Sequence, residues 1–512
     1  MGRSKKRIVI PEEFLVGSLV ALPWIWLCSY FWDYYPLWDS AIYYEETLNA
    51  SATTLNPLAY NFAAHPTMGY LYLPGLLLRL FGRTYHVFLV YNAILAWCMA
   101  MAVCDIWRRL VDRSMPRLET LLVVASAMYC PVIVASIVQL SPDFGVLVFL
   151  TLATRALLRE RFTEASLWGM LAGFSKESGV LLYAVELAVF LIAFSLRAPG
   201  CTHEKLRAAM RRIPLLTSAL VAPFIIKLFI APRMNQSLSA GDPSGLIRQF
   251  LSVSFLDNLF PASLATILVL NFMWIPAAVV VSGCGIWCIR RFALRLPRNK
   301  PRDPTVEFLA VLFAAELVLL TRFRTFTNVR YYLPLFPWIV LLAARLILGS
   351  RWPRPLRLLG QSAIMVAFGW ANLRSVDPVS ARVFGTIPFG EHRFYHVTSL
   401  TRECCGLGRD QLVYNLEFTE LDRILRELTP FVLSSTDHAV AVHPEADWYM
   451  FHSLHPQTKQ RSTPVHGSFR LPYVNSWTVG SAPLKPAKIY YVALPHMPTA
   501  DELSRFAAWY SL

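Results

Sequence analysis

The residues able to do chemistry stand out against a mostly apolar chain. After the first apolar run come Trp38-Asp39-Ser40, then Glu45 and Glu46 on an amphipathic stretch, then His65-Pro66 ahead of Gly69-Tyr70-Leu71-Tyr72. Leu140-Ser141-Pro142-Asp143 places an acid where an apolar segment begins. Phe174-Ser175-Lys176-Glu177-Ser178-Gly179 sets a charged pair between two apolar halves, and ionisable groups at such depth are costly unless they pair or line a cavity. Arg322, Arg324 and Arg330 lead into Tyr331-Tyr332-Leu333-Pro334. A carboxylate can take the proton from an acceptor hydroxyl while cations stabilise a departing phosphate. Alternatively, Asp39 and Asp143 could hold a divalent metal ion that does the second task. Such a set suits a substrate with a phosphate head and a lipid tail. Plainer explanations exist for each piece: an interfacial aromatic belt around Trp38, an ordinary helix start at Ser-Pro-Asp, and pairing of the arginines with Glu316 or Glu177.

The elements that position these residues emerge from composition. The chain has 512 residues, 55% of them hydrophobic and only 16% charged, with a mean hydropathy of +0.44. That pattern excludes a soluble multidomain protein and indicates a polytopic α-helical membrane protein. Apolar segments at about 14–30, 86–107, 118–138, 143–158, 165–182, 183–196, 214–231, 262–289, 306–321, 332–349 and 358–372 predict about eleven transmembrane helices. Lys176 and Glu177 leave open whether 165–196 is one bent helix or two short ones.

The formal charge of +15 would suggest nucleic acid in a soluble protein. Here it records topology, so no nucleic-acid partner is expected. On alternate loops, 26 basic residues fall on the side assigned to the cytoplasm, against nine in the rest of residues 1–372. That count puts the N-terminus in the cytoplasm. The first loop, about 32–85, then faces outward, together with Asp143, 232–258, 322–331 and everything after about 373. The tail is neutral, with 13 basic and 13 acidic residues. Its strand-like stretches (Gln411 to Leu416, Ala439 to Val442, Lys488 to Leu494) and helix starts at Thr419 and Thr499 predict a soluble C-terminal α/β domain over 373–512, outside the membrane.

Other signals carry less. Nine cysteines show no metal-ligand spacing, and only Cys404 and Cys405 lie in a polar region. His438, His443, His452 and His455 fit no zinc pattern and read as a solvated surface. Glu186 lies mid-span and needs a partner. Asn49-Ala50-Ser51 and Asn235-Gln236-Ser237 are outward sequons. No phosphate-binding or dinucleotide fingerprint is present in the sequence, which argues against ATP or a nucleotide sugar as direct substrate.

The order of these motifs over about residues 14–349 resembles the GT-C membrane glycosyltransferases, and within them the branch of protein O-mannosyltransferases and lipid A aminoarabinose transferases. The resemblance implies a GT-C catalytic domain over 1–372. It also implies transfer of a sugar from a polyprenyl-phosphate carrier to an acceptor hydroxyl at the outer or lumenal face of a bacterial inner membrane, plasma membrane or endoplasmic reticulum. The acceptor class stays open between glycan, lipid and protein. Asp39 matches the family's first-loop acid, a general base or metal contact, and Asp143 its second outward acid. Lys176 and Arg330 occupy positions where the resemblance implies contact with the carrier phosphate or the site framework, and Arg324 is a further candidate for the phosphate. Glu45, Glu46, His65 and Tyr331 are candidate donor or acceptor contacts. Ser40 stands where the family often has a second acid, and Thr67 where it often has a second proline. A transporter or flippase of a lipid-linked sugar would need the same head-group contacts, although no repeated halves are visible in the sequence.

Overall fold

The computed structural model describes most of residues 11–196, 259–289 and 304–395, short pieces of 213–225, and strands at 438–442, 473–474 and 488–492. The described part up to residue 384 is helical. Glu12–Tyr30 and His86–Leu110 are long and apolar enough to cross a membrane, and the bent pair Arg117–Met128 and Pro131–Ile137 would make a third span. Among the described residues this measure does not reach the expected eleven; three of the apolar stretches are divided into shorter helices, and the 214–231 stretch lies partly outside the described residues.

Each division has a local cause. The 118–138 stretch turns by 71° between its two helices, where Pro131 cannot donate to the preceding turn. The 262–289 stretch breaks at Asn271 and Phe272, both with positive φ of 57° and 63°, separating Leu259–Leu268 from Trp274–Cys288. The 165–196 stretch forms two helices, Phe162–Ser175 and Glu177–Leu196. Their boundary is Lys176, with an extended backbone (φ −163°, ψ 154°), rather than the expected 182/183. Close approach fixes this elbow: a Cβ on Gly179 would lie 2.1 Å from the Ala172 carbonyl oxygen.

The surface chemistry is inverted relative to a water-soluble bundle. Leu22, Ile25, Trp26, Val281, Leu359, Val366 and Trp370 are exposed on helices, whereas Asn92, Glu186, Glu316 and Gln361 are fully buried. An outer apolar sheath over an interior that satisfies its own polar groups suits a hydrocarbon solvent. Glu186 finds the partner it needs, since Thr154 donates to it at 2.6 Å. The Trp338 indole donates to Glu316 at 3.1 Å.

A second buried polar centre ties the end of the bundle to the segment C-terminal to it. Asp377 caps the short helix Pro378–Phe384 by accepting from Ser380 N. It also accepts from Phe272 N at 3.0 Å and from the Trp274 indole at 3.1 Å, so it holds the left-handed kink in place. Tyr395 donates to the same carboxylate at 2.9 Å and accepts from Asp377 N at 2.6 Å. Tyr395 ends the antiparallel ribbon of β1 (Thr386–Phe389) and β2 (His392–Tyr395).

Further on, β3 (His438–Val442), β4 (Tyr473–Val474) and β5 (Lys488–Val492) form a parallel sheet in the order β4-β3-β5. Two of the three coincide with stretches read as strands. The expected strand at Gln411 to Leu416 and the helix starts at Thr419 and Thr499 lie outside the described residues.

Candidate active site

Asp143 is the second residue of the helix Pro142–Leu158, where a carboxylate complements the helix N-terminus. Its role does not end there. The Lys176 ammonium donates to both carboxylate oxygens, at 2.7 and 3.0 Å. Arg330 Nε lies 3.6 Å from the second oxygen. The three side chains are only 7, 10 and 14% exposed. Tyr331 completes the group, its ring 4.0 Å from Lys176 Nζ and 5.5 Å from Arg330 Cζ. Thus one carboxylate, two cations and one aromatic ring, from three separate stretches of chain, meet at one end of the bundle.

Local structure explains the convergence. Lys176 occupies the elbow between two helices, so its backbone leaves the helical path there. Arg330 and Tyr331 belong to the 3-10 turn Val329–Tyr332. That turn is anchored by buried Val329 and by Tyr332, whose hydroxyl donates to Ser263 at 2.9 Å. The loop before Asp143 is held from the side by the His86–Leu110 helix. The Asn92 amide donates to the carbonyls of Ile137 and Gln139 at 3.0 and 2.8 Å. Tyr85 donates to Val138 O at 2.9 Å. Tyr70 in turn donates to Asn92 at 2.6 Å, and its ring lies against Gly145, where an added Cβ would come within 2.7 Å. The Gly69-Tyr70-Leu71-Tyr72 motif therefore acts through packing two residues beyond Asp143.

The supporting roles of Asn92 and Gly145 are not among the sequence expectations. The legible signal was Asn92, a polar amide inside an apolar span. Arg330 lies within ion-pair distance of Asp143, an acid not among the partners expected for it, while Glu316 is engaged by Trp338.

The first-loop candidates are placed only in part. Asp39 begins the helix Asp39–Thr53, which also carries Glu45 and Glu46. Their side chains lie outside the described residues, as do His65 and Arg324 altogether. The helix itself is seated: Tyr43, Tyr44, Thr47 and Ser51 are buried on one face. Tyr44 meets Tyr85 and Phe88 edge to face at 5.4 and 5.6 Å, and Arg79 Nε donates to Ser51 O. Since Tyr85 also holds Val138, the first-loop helix and the Asp143 loop share one support.

Chemically, the described centre favours an anion. It sets two cations beside a carboxylate and an aromatic ring in a poorly hydrated place, where electrostatic interactions are strong. Ser141 Oγ, beside Asp143 in sequence, is buried with no hydrogen-bond partner among the described residues. As a divalent-metal site the same set is poor, because its one carboxylate is already held by two cations. No group of three or more His, Cys, Asp or Glu side chains suited to a metal occurs among the described residues.

No protein-family model matches the chain, and no curated protein matches it in sequence. Solved structures do match in fold. Two are of ArnT from Cupriavidus metallidurans, one bound to undecaprenyl phosphate and one in the apo state. They align with TM-scores of 0.54 and 0.52 at 12% and 11% identity, each alignment covering 86% of this chain and 84% of the other. The chain has the fold of ArnT. ArnT is a lipid A aminoarabinose transferase of the GT-C type, so the resemblance read from short motifs and their sidedness holds at the level of fold. With an ArnT-like fold and an apolar outer surface, the chain is an integral membrane protein.

Proposed function

We propose that the chain is a glycosyltransferase that takes a sugar from a polyprenyl-phosphate carrier and passes it to an acceptor hydroxyl at the outer or lumenal membrane face. The observation that carries this reading is the Asp143, Lys176, Arg330 and Tyr331 centre, whose two buried cations suit a phosphate. It lies within a fold shared with a protein whose structure was solved with undecaprenyl phosphate.

In the proposed reaction the acceptor oxygen attacks the anomeric carbon and its proton passes to Asp39. The bond from the anomeric carbon to the phosphate oxygen breaks, and the electron pair stays on the phosphate. Lys176 and Arg330, with Arg324, stabilise that charge. Asp143 holds the two cations at their spacing and thereby acts as organiser of the phosphate site. Glu45, Glu46, His65 and Tyr331 contact donor or acceptor. Residues 1–372 form the catalytic domain of about eleven spans, with the N-terminus in the cytoplasm. Residues 373–512 form an α/β domain on the other side.

Purified full-length protein incubated with a polyprenyl-phosphate sugar and acceptor should release free polyprenyl phosphate, and Asp39→Asn should stop the release while preserving folding. Full activity in Asp39→Asn would remove the role given to that residue. Movement of the lipid-linked sugar across a vesicle membrane without release would instead establish the flippase reading.

A further inference from the structure

The helix Leu335–Leu348 starts next to the Arg330 turn and ends about 20 Å away at the opposite end of the bundle, at 1.5 Å per residue. There the structure has a cavity of about 490 Å³ between the ends of several helices. Among the described residues its lining includes Arg345, Arg354 and Arg357 and one acid, Glu119, with Ser350 contributing a hydroxyl. We propose that this cavity binds a phosphate-bearing anion, separately from the site described above.

Charge, fixation and surroundings support it. Arg354 Nε meets Glu119 at 2.8 Å, the one carboxylate among the described lining residues, and Arg357 beside it has no ion pair among the described residues. Arg357 is held in position by donating Nη1 to Leu348 O at 2.6 Å, yet its buried Nε has no hydrogen-bond partner among the described residues. Guanidinium groups fixed in this way match the geometry of phosphate oxygens.

The surroundings suit a lipid source for the anion. Trp352, Leu356 and Leu359 stand 60, 51 and 66% exposed on the same short stretch as Arg354 and Arg357. An aromatic residue and leucines beside arginines is what a membrane interface selects. The charge count of the sequence assigns this end to the cytoplasm, where anionic head groups meet basic pockets between spans. A free phosphate has the same chemistry without the acyl chains.

The test uses full-length protein in detergent, titrated with phosphatidylglycerol or phosphatidylcholine of the same acyl chains and read by native mass spectrometry. A parallel thermal-unfolding series uses inorganic phosphate. Preferential retention of phosphatidylglycerol, weakened about 25-fold in Arg354→Gln/Arg357→Gln, would establish the site with a lipid head group as ligand. Stabilisation by inorganic phosphate that the double variant loses, without lipid preference, would establish it with a free anion. Equal retention of the two lipids and no phosphate effect, or unchanged binding in the variant, would overturn the proposal. If the double variant does not fold, Arg354→Gln alone serves for the comparison, since the Arg354 side chain is already 54% exposed.

Discussion

Two ends of one helix carry the same kinds of side chain to different purposes. At the start of Pro142–Leu158, Asp143 faces Lys176 and Arg330. About 18 Å along, at 1.5 Å per residue, Arg155 begins a cluster around Asp105. There Arg159 binds Asp105 through two bonds, of 2.6 and 2.7 Å. Arg155 and Arg109 add contacts at 3.4 and 3.7 Å, and Glu13 and Glu12 take up Arg159 and Arg108. Four arginines face three carboxylates there, and the cluster staples the helices Glu12–Tyr30, His86–Leu110 and Pro142–Leu158 together. At Asp143 the lysine holds both oxygens, and the arginine stands 3.6 Å off beside a tyrosine ring. The presence of ion pairs does not separate a structural cluster from a ligand site. Burial beside an aromatic ring does: the side chains around Asp105 are 12–36% exposed, those around Asp143 7–14%.

The comparison can be broken most sharply at the acid expected to take the proton. Asp39→Asn should lower polyprenyl-phosphate release by about a hundred- to ten-thousand-fold, the range for losing a general base. Removing a cation from the Asp143 group, Lys176→Met, should lower release by about a hundred- to a thousand-fold, as when one preorganised donor is lost. Arg159→Gln in the Asp105 cluster should do the reverse. Turnover of the folded fraction stays near the parent while the midpoint of thermal unfolding falls by several degrees. Equal effects of these two substitutions on turnover would erase the distinction drawn between the clusters.

Gly145→Ala probes the support behind Asp143. The new methyl meets the Tyr70 ring and should cost about 1–3 kcal/mol by overpacking. It should also impair turnover, because the displaced element carries Asp143. Measuring both on one sample separates the two consequences. Smallest of all, Arg161→Ala removes an ion pair to Glu164 whose arginine is 59% exposed. It should shift stability by less than about 0.5 kcal/mol in chemical denaturation.

Much of the site is legible in the sequence because each of its members breaks a local rule. Asp143, Lys176 and Arg330 are charges beside or within apolar runs, and the common side of the membrane inferred from loop charge already groups them. The supports cannot be read in the same way. Gly145 sits among apolar residues in a helix, and its meaning depends on a tyrosine 75 positions earlier. The fold is legible as apolar helices, but their breaks are less so. Pro131 announces its bend, whereas Asn271 adopts a positive φ that asparagine tolerates and a hydropathy pattern does not register. Residues 373–395 belong to the tail by their lost hydropathy. Their contact with Phe272 and Trp274 through Asp377 is a pairing over more than a hundred residues, which periodicity does not reveal.

That contact bears on how the protein can be cut and recombined. A chain ended where the hydropathy falls, at 372, would lose the carboxylate that accepts from the kinked backbone at Phe272. The kink would be left with an unsatisfied amide inside an apolar bundle. The first permissible seam lies after Tyr395, once the Asp377 cap and the β1–β2 ribbon are complete. Any exchange of the C-terminal part between relatives of this chain would have to carry the segment 373–395 with the membrane part, as the last piece of the bundle.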